Sequence, residues 1–192
     1  SNFPDAMDYL ERPVDVFLEK TPAPLFLVQV FPWSLNRKVG LIGDAAHAIV
    51  PFYGQGMNCG FEDCAELNAL IPRYKHDWDE IFPAYERARK PNGDAIAELS
   101  KRNFVEMSDL SGDKRFQLRK QIEAKFSKLY PELWTPLYSM VTFSPELPYS
   151  EALRIGDQQQ ELMNEVMALP DIEDDWDSDY VMQRLHDLVS GN

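Results

Sequence analysis

Between Val39 and Leu70 the chain reads VGLIGDAAHAIVPFYGQGMNCGFEDCAELNAL, and no other stretch restricts its possible folds as tightly. The opening Val39-Gly40-Leu41-Ile42 is a short apolar run that predicts a buried strand, with Gly43-Asp44 where that strand ends. Asp44 is thus expected at a strand's carboxyl end, where open α/β sheets hold ligands. Pro51, Gly54, Gln55, Gly56 and Asn58 then form a loop that frees backbone amides and admits a ligand close to main chain. Helical spacing begins near Met57 or Asn58. A carboxylate here would accept from sugar-like hydroxyls, and the helix-start amides would attract an anion or a group that gains negative charge. One ligand satisfies both: a polyol attached to an electron-accepting ring.

The remaining composition mostly excludes. The 192 residues suit one domain or a piece of a larger one. No apolar run approaches the roughly 20 residues of a membrane helix. With 32 acidic against 19 basic residues, the net charge of −13 would repel a phosphate backbone, so nucleic acid is not an expected partner. Cys59 and Cys64 lie five apart, neither a CxxC pair nor a secreted disulfide framework, and read as buried thiols in a reducing compartment. His47, His76 and His186 are scattered without ligand-like spacing, so no metal site is expected. There is no signal-peptide pattern, and Ser1-Asn2 reads as a remnant of tag cleavage.

The polar, proline-punctuated stretch from Phe3 to Lys20 carries Val14, Val16 and Leu18 in strand-like alternation, and Leu25–Phe31, bracketed by Pro22, Pro24 and Pro32, predicts a stronger strand. Helical patterns follow at Trp78–Arg89, punctuated by Pro83, then at Pro91–Leu110, Lys114–Leu129 and Tyr149–Leu169. Pro136–Phe143 is a compact apolar segment, Asp171–Asp179 an acidic solvated linker, and Tyr180–Val189 a terminal helix. Three strands and then only helices is a lopsided order for a self-sufficient α/β domain. The expected fold class is therefore α/β, mostly helical: edge strands and a ligand-contacting helix from a larger domain, followed by a helical region. Asn103 falls on the apolar stripe of Ile96, Leu99, Met107 and Leu110. An unpaired buried carboxamide costs about 1–3 kcal/mol, so Asn103 either faces a pocket or bonds backbone. Tyr138 is open to the same two readings, core or site.

The string GDAAHAIVPFYGQGMNCGFEDC resembles the second flavin-binding motif of the single-component FAD-dependent aromatic hydroxylases. Together with NFVEM at Asn103–Met107 and PLYSMVTF at Pro136–Phe143, in that order, it is similar to the kynurenine 3-monooxygenase family. The resemblance implies that Asp44 bonds the ribityl chain of FAD and that Pro51, Gly54, Gln55, Gly56, Met57 and Asn58 lie against the flavin. Pro51, Phe52 and Gln55 would border the substrate on the flavin side, Asn103 and Met107 the opposite side, and Tyr138 would hold the substrate carboxylate. It further implies that NADPH reduces the flavin and O2 converts it to a hydroperoxide that hydroxylates L-kynurenine to 3-hydroxykynurenine, with an apolar wall from Phe52 and Met107 keeping water out. No side chain is assigned a catalytic proton transfer.

Two departures shape the expectation. The GxGxxG turn that holds the ADP part of FAD is absent, and Gly54-Gln55-Gly56 follows its strand too late to replace it. The chain is accordingly expected to be a carboxyl-terminal part. Residues 1–75 would end an FAD-binding and substrate domain, and residues 76–192 would close the pocket. Its partner would be the missing N-terminal FAD-binding half, without which the chain is inactive. Eukaryotic members of the family carry a carboxyl-terminal anchor on the mitochondrial outer membrane. This chain ends in Asp187–Asn192 without one, which suggests a cytoplasmic location unless an anchor was removed. Two alternatives are a hydroxylase for a different aromatic acid and a non-catalytic helical interaction module.

Overall fold

A computed structural model describes residues 9–191; Ser1-Asn2 and the start of the Phe3–Lys20 stretch lie outside them. The architecture is mostly helical, in the order α1 (Pro13–Glu19), β1 (Ser34–Leu35), β2 (Val39–Gly40), α2 (Asp44–His47), α3 (Gly56–Arg73), α4 (Trp78–Val105), α5 (Lys114–Leu129), α6 (Leu137–Phe143), α7 (Tyr149–Met167), α8 (Ile172–Asp175) and α9 (Asp179–Ser190). The strands form one small antiparallel ladder, Ser34 opposite Gly40 and Leu35 opposite Val39. Asn36 and Arg37 turn between them with φ of 50° and 58°, the left-handed pair that suits a tight hairpin.

The predicted strands are the main correction. Val14–Leu18 is helical, because Pro13 opens the segment at the first helical position and Asp15 sits in its first turn. Leu25–Phe31 is extended but is no strand of a sheet: Val28 N–H donates to Ala48 O at 2.8 Å and Val30 N–H to Ala46 O at 3.3 Å, while Leu25, Phe26 and Phe31 stay exposed. The segment has a strand's backbone without a neighbouring strand. Of the predicted run Val39–Ile42, only Val39 and Gly40 pair.

The helices follow the sequence more closely. The pattern broken at Pro83 and Pro91 is one continuous helix, α4, capped by Asp77, whose side chain accepts from Asp79 N–H at 3.0 Å. A proline inside a helix deletes a hydrogen bond and crowds the carbonyl four residues back. Here both prolines lie on the exposed face. The opposite face buries Ile81, Tyr85, Ile96 and Leu99 against α3 and α7, and this packing outweighs the two lost bonds. After Val105 the helix widens into a π-helical turn, Glu106–Leu110, so the 3.6-residue stripe stops at Asn103 and leaves Met107 and Leu110 exposed. The predicted acidic linker holds α8, and Ile172 within it is buried.

The cores divide along the chain. Trp33, Ala46, Leu70, Ile81 and Tyr85 pack where α2, α3 and α4 meet. Tyr53, Ile96, Leu99, Met140 and Tyr149 join the loop before α3 to α6 and α7. Ile122, Phe126, Trp134, Met163, Val166 and Leu185 bind α5, α7 and α9 together. Among the described residues no helix is long and apolar enough to cross a membrane.

Candidate functional site

Gly43 takes φ 58° and ψ −138°, a conformation that side chains rarely tolerate, and thereby turns the chain sharply from β2 into α2. Asp44 heads that single helical turn and is exposed. Gly43 also packs on α3: a Cβ built on Gly60 would meet Gly43 Cα at 3.8 Å. Glycine facing glycine lets α2 sit directly on the first turns of α3, so Asp44 shares a surface with the exposed Met57 and Asn58.

Gly54, at φ 69°, closes the preceding loop by donating its N–H to Pro51 O at 3.2 Å, and the space where its Cβ would lie is empty to 4 Å. Gly56 begins α3, and no side chain caps that start. The amides of the first turn are therefore left for solvent or a ligand. Gln55 departs from its expected role. It is 6% exposed, and its Oε1 accepts from Asn58 Nδ2 at 2.7 Å and from the Tyr149 hydroxyl at 3.3 Å. The side chain anchors the loop to α7 and does not reach outward.

Phe52 and Asn103 come together, the ring of Phe52 lying 4.8 Å from that of Phe104 while Asn103 Nδ2 donates to Phe52 O at 2.8 Å. Asn103 thus bonds backbone, one of its two open readings, and the backbone is that of the loop. Beside them opens a groove of about 610 Å³, with Leu25, Leu27, Val50, Phe52 and Phe104 as its apolar wall and Lys101 and Glu98 at its edge. Tyr138, half-exposed on α6, stacks on Tyr53 at 5.5 Å. Met107 stands 58% exposed on the π-helical turn and lines none of this groove. Pro51 is exposed at the head of the loop.

Beneath these groups lies a cluster absent from the sequence expectations. Asp63, fully buried on α3, accepts from Gly43 N–H at 3.0 Å, pairs with His47 Nε2 at 2.5 Å and accepts from Arg89 Nε at 2.7 Å. Arg89 Nη2 also donates to Cys59 O at 3.1 Å, and His47 Nδ1 lies 3.8 Å from Cys59 Sγ. Burial alone would lower the His47 pKa, but its bonds to Asp63 and Cys59 prevail and raise it to about 10. Burial pushes the Asp63 carboxyl up, and the donors from His47, Arg89 and Gly43 outweigh that and hold it below its ordinary value. His47, without ligand-like spacing in the sequence, is brought by the fold beside Cys59 and Asp63, the three offering ligand atoms within 4.8 Å of one another. The Arg89 guanidinium already supplies the positive charge a cation would bring. Cys64, expected to be buried, is exposed. Asp63 was findable, since it stands four residues after Cys59 on the inner face of a helix, where a carboxylate demands a partner.

Residues 20–100 match the family of FAD binding domains. A kynurenine 3-monooxygenase of Christiangramia forsetii is 51% identical over 97% of this chain and 42% of its own length. One from Flavobacterium johnsoniae is 49% identical over 98% and 42%, and one from Caenorhabditis elegans 39% over 87% and 36%. The chain is a relative of the kynurenine 3-monooxygenases. It spans about two fifths of the length of these curated relatives. The FAD binding domain match takes in β1 to α3, with Asp44 and the uncapped helix start inside it. These residues fit a flavin: an exposed carboxylate for hydroxyls, unclaimed amides for an electron-rich ring edge, and a glycine loop open enough for a flat ring to approach.

Proposed function

We propose that this chain is the carboxyl-terminal portion of an FAD- and NADPH-dependent monooxygenase that hydroxylates L-kynurenine to 3-hydroxykynurenine. The observation that carries the reading is the contact of Gly43 with Gly60, which sets Asp44 beside the uncapped start of α3 within the FAD binding domain match. When bound, FAD supplies the redox chemistry that moves electrons from NADPH to O2 and delivers one oxygen atom to an aromatic ring.

The chain's own residues bind, orient and exclude water. Asp44 accepts hydrogen bonds from the ribityl hydroxyls, while the amides of Gly56, Met57 and Asn58 steady negative charge on the ring system from a fixed position. Pro51 and Gly54 shape the loop against the flavin, and Gln55 holds that loop through Tyr149. Phe52, backed by Phe104, forms the apolar side of the substrate site and limits water around the reacting groups, while Met107 stands outside that groove on the π-helical turn. Asn103 fixes Phe52 through its carbonyl, and Tyr138 donates to the substrate's amino-acid carboxylate.

In this reading residues 1–75 complete an FAD-binding and substrate domain, residues 76–192 close the pocket, and the chain alone does not turn over substrate. The exposed Leu25, Phe26 and Phe31 support an upstream sheet packing there. The test is made on the full-length protein that contains this sequence, purified and assayed for flavin absorbance and for NADPH oxidation with and without L-kynurenine, using 4-hydroxybenzoate as control. Stimulation by L-kynurenine with formation of 3-hydroxykynurenine is expected. A flavoprotein stimulated only by another aromatic acid overturns the substrate, and a colourless protein overturns the enzyme.

A further inference from the structure

We propose that Asp63, held between His47 and Arg89, is a positioning residue that fixes the turn carrying Asp44 and so sets how tightly flavin is retained. The inference rests on the reading of Asp44 as the acceptor for the flavin's polyol chain.

Asp63 touches both ends of that turn. Its Oδ2 accepts from the Gly43 amide at 3.0 Å and meets His47 Nε2 at 2.5 Å, and these two residues bracket Asp44 in sequence. Its Oδ1 accepts from Arg89 Nε at 2.7 Å, which ties the same carboxylate to α4. One side chain therefore couples β2's exit, α2, α3 and α4.

Such an arrangement is a poor way to gain stability, because desolvating buried ions offsets their attraction and apolar packing commonly does as well. What it supplies is direction: three donors converging on one carboxylate accept few alternative placements of the backbone. The cluster is sealed from any ligand, with Asp63 fully buried and His47 3% exposed under the Trp33 ring at 5.2 Å. It acts through Asp44. Arg89 carries a second ion pair to the part-exposed Glu62 at 2.8 Å, so the network is a chain from surface to turn.

A double-mutant cycle on the full-length protein tests this, with flavin dissociation constants of the wild type, Asp44→Ala, Asp63→Asn and the double variant read by fluorescence titration. Asp63→Asn is expected to raise Kd about tenfold, and the double variant to lie within about threefold of Asp44→Ala, because both substitutions disable one device. An additive cycle, in which the fold-changes multiply, assigns Asp63 a merely structural role and overturns the proposal, as does an unchanged Kd for Asp63→Asn. If Asp63→Asn does not accumulate folded, His47→Gln enters the same cycle with the same two outcomes. A wild-type protein that binds no flavin overturns the reading of Asp44 and this inference with it, whereas a wild type that binds and an additive cycle overturn this inference alone.

Discussion

Around α5, α7 and α9 the buried side chains Ile122, Phe126, Trp134, Met163, Val166 and Leu185 include no charge, whereas between α2, α3 and α4 His47, Asp63 and Arg89 are buried against one another. Among the described residues the five buried polar or charged side chains, His47, Gln55, Asp63, Arg89 and Ser100, all precede Lys101. Apolar burial stabilises in proportion to area and tolerates rearrangement of its parts. Buried ions demand matched partners in fixed places. The carboxyl-terminal helices therefore provide bulk stability, and the amino-terminal part spends some of it on geometry.

The sharpest way to break that division is to damage each region once. Arg89→Ala leaves the buried Asp63 with His47 and the Gly43 amide but without its guanidinium, and losing one partner of a buried ion pair costs about 3–5 kcal/mol. Phe126→Ala removes a fully buried ring from the apolar core at a similar cost of about 3–5 kcal/mol. Denaturant unfolding should show both losses. Flavin titration of the protein that remains folded should separate them, with weakened binding in Arg89→Ala and wild-type affinity in Phe126→Ala. Equal flavin loss in the two variants would show that the regions are one cooperative unit.

Acidity distinguishes the regions a second way. The folded His47 value, raised to about 10 from 6.5, contributes stability that is fully present below pH 6.5 and is lost as pH rises through about 10. Asp63, held below its ordinary value, contributes stability that is present above that value and is lost as pH falls through the folded one. The cluster is therefore strongest in mildly acidic solution. Between pH 6.5 and 10 the unfolding free energy should decline by up to about 1.4 kcal/mol per pH unit. His47→Gln should flatten that decline, and a slope that survives the substitution would place the titrating group elsewhere.

What was legible in the sequence follows from the range of the interactions that decide it. Lys114–Leu129 was readable as it stands and Tyr149–Leu169 to within two residues, because local spacing and packing agree there, and the turns at Gly43 and Gly54 were readable because glycines are local signals. Leu25–Phe31 was misread because strand pattern says nothing about whether a neighbouring strand exists. Pro91 misled in the opposite sense: its solvent-facing position, invisible in sequence, lets α4 run through it. The Asp63 cluster joins residues 16 to 26 positions apart, and only the seating of α2 on α3 and the crossing of α3 and α4 bring them within reach.

Smaller changes sharpen the picture of the loop. Gly54 sits at φ 69° with open space around it, so Gly54→Ala meets no neighbour and should act through backbone strain alone, costing about 1 kcal/mol. Because the strain falls on the loop that turns into α3, flavin affinity should drop severalfold while the far core is untouched. Unchanged affinity would mean that the loop's path does not govern the cofactor.

The smallest expected effect on stability and on flavin affinity lies at Tyr138. Its ring stacks on Tyr53 at 5.5 Å, and Tyr53 follows Phe52, whose carbonyl Asn103 holds, so the packing of this residue belongs to the loop's support. Tyr138→Phe keeps the ring and the stack and removes only a hydroxyl on a half-exposed residue. Melting temperature and flavin affinity should stay at the wild-type values. If that hydroxyl donates to the substrate carboxylate, one charge-assisted hydrogen bond is lost, about 1.5–3 kcal/mol or roughly tenfold or more in KM for L-kynurenine, with kcat retained because the bond is remote from the oxygenated ring. An unchanged KM would leave Tyr138 as a packing residue and move recognition of the carboxylate to another group.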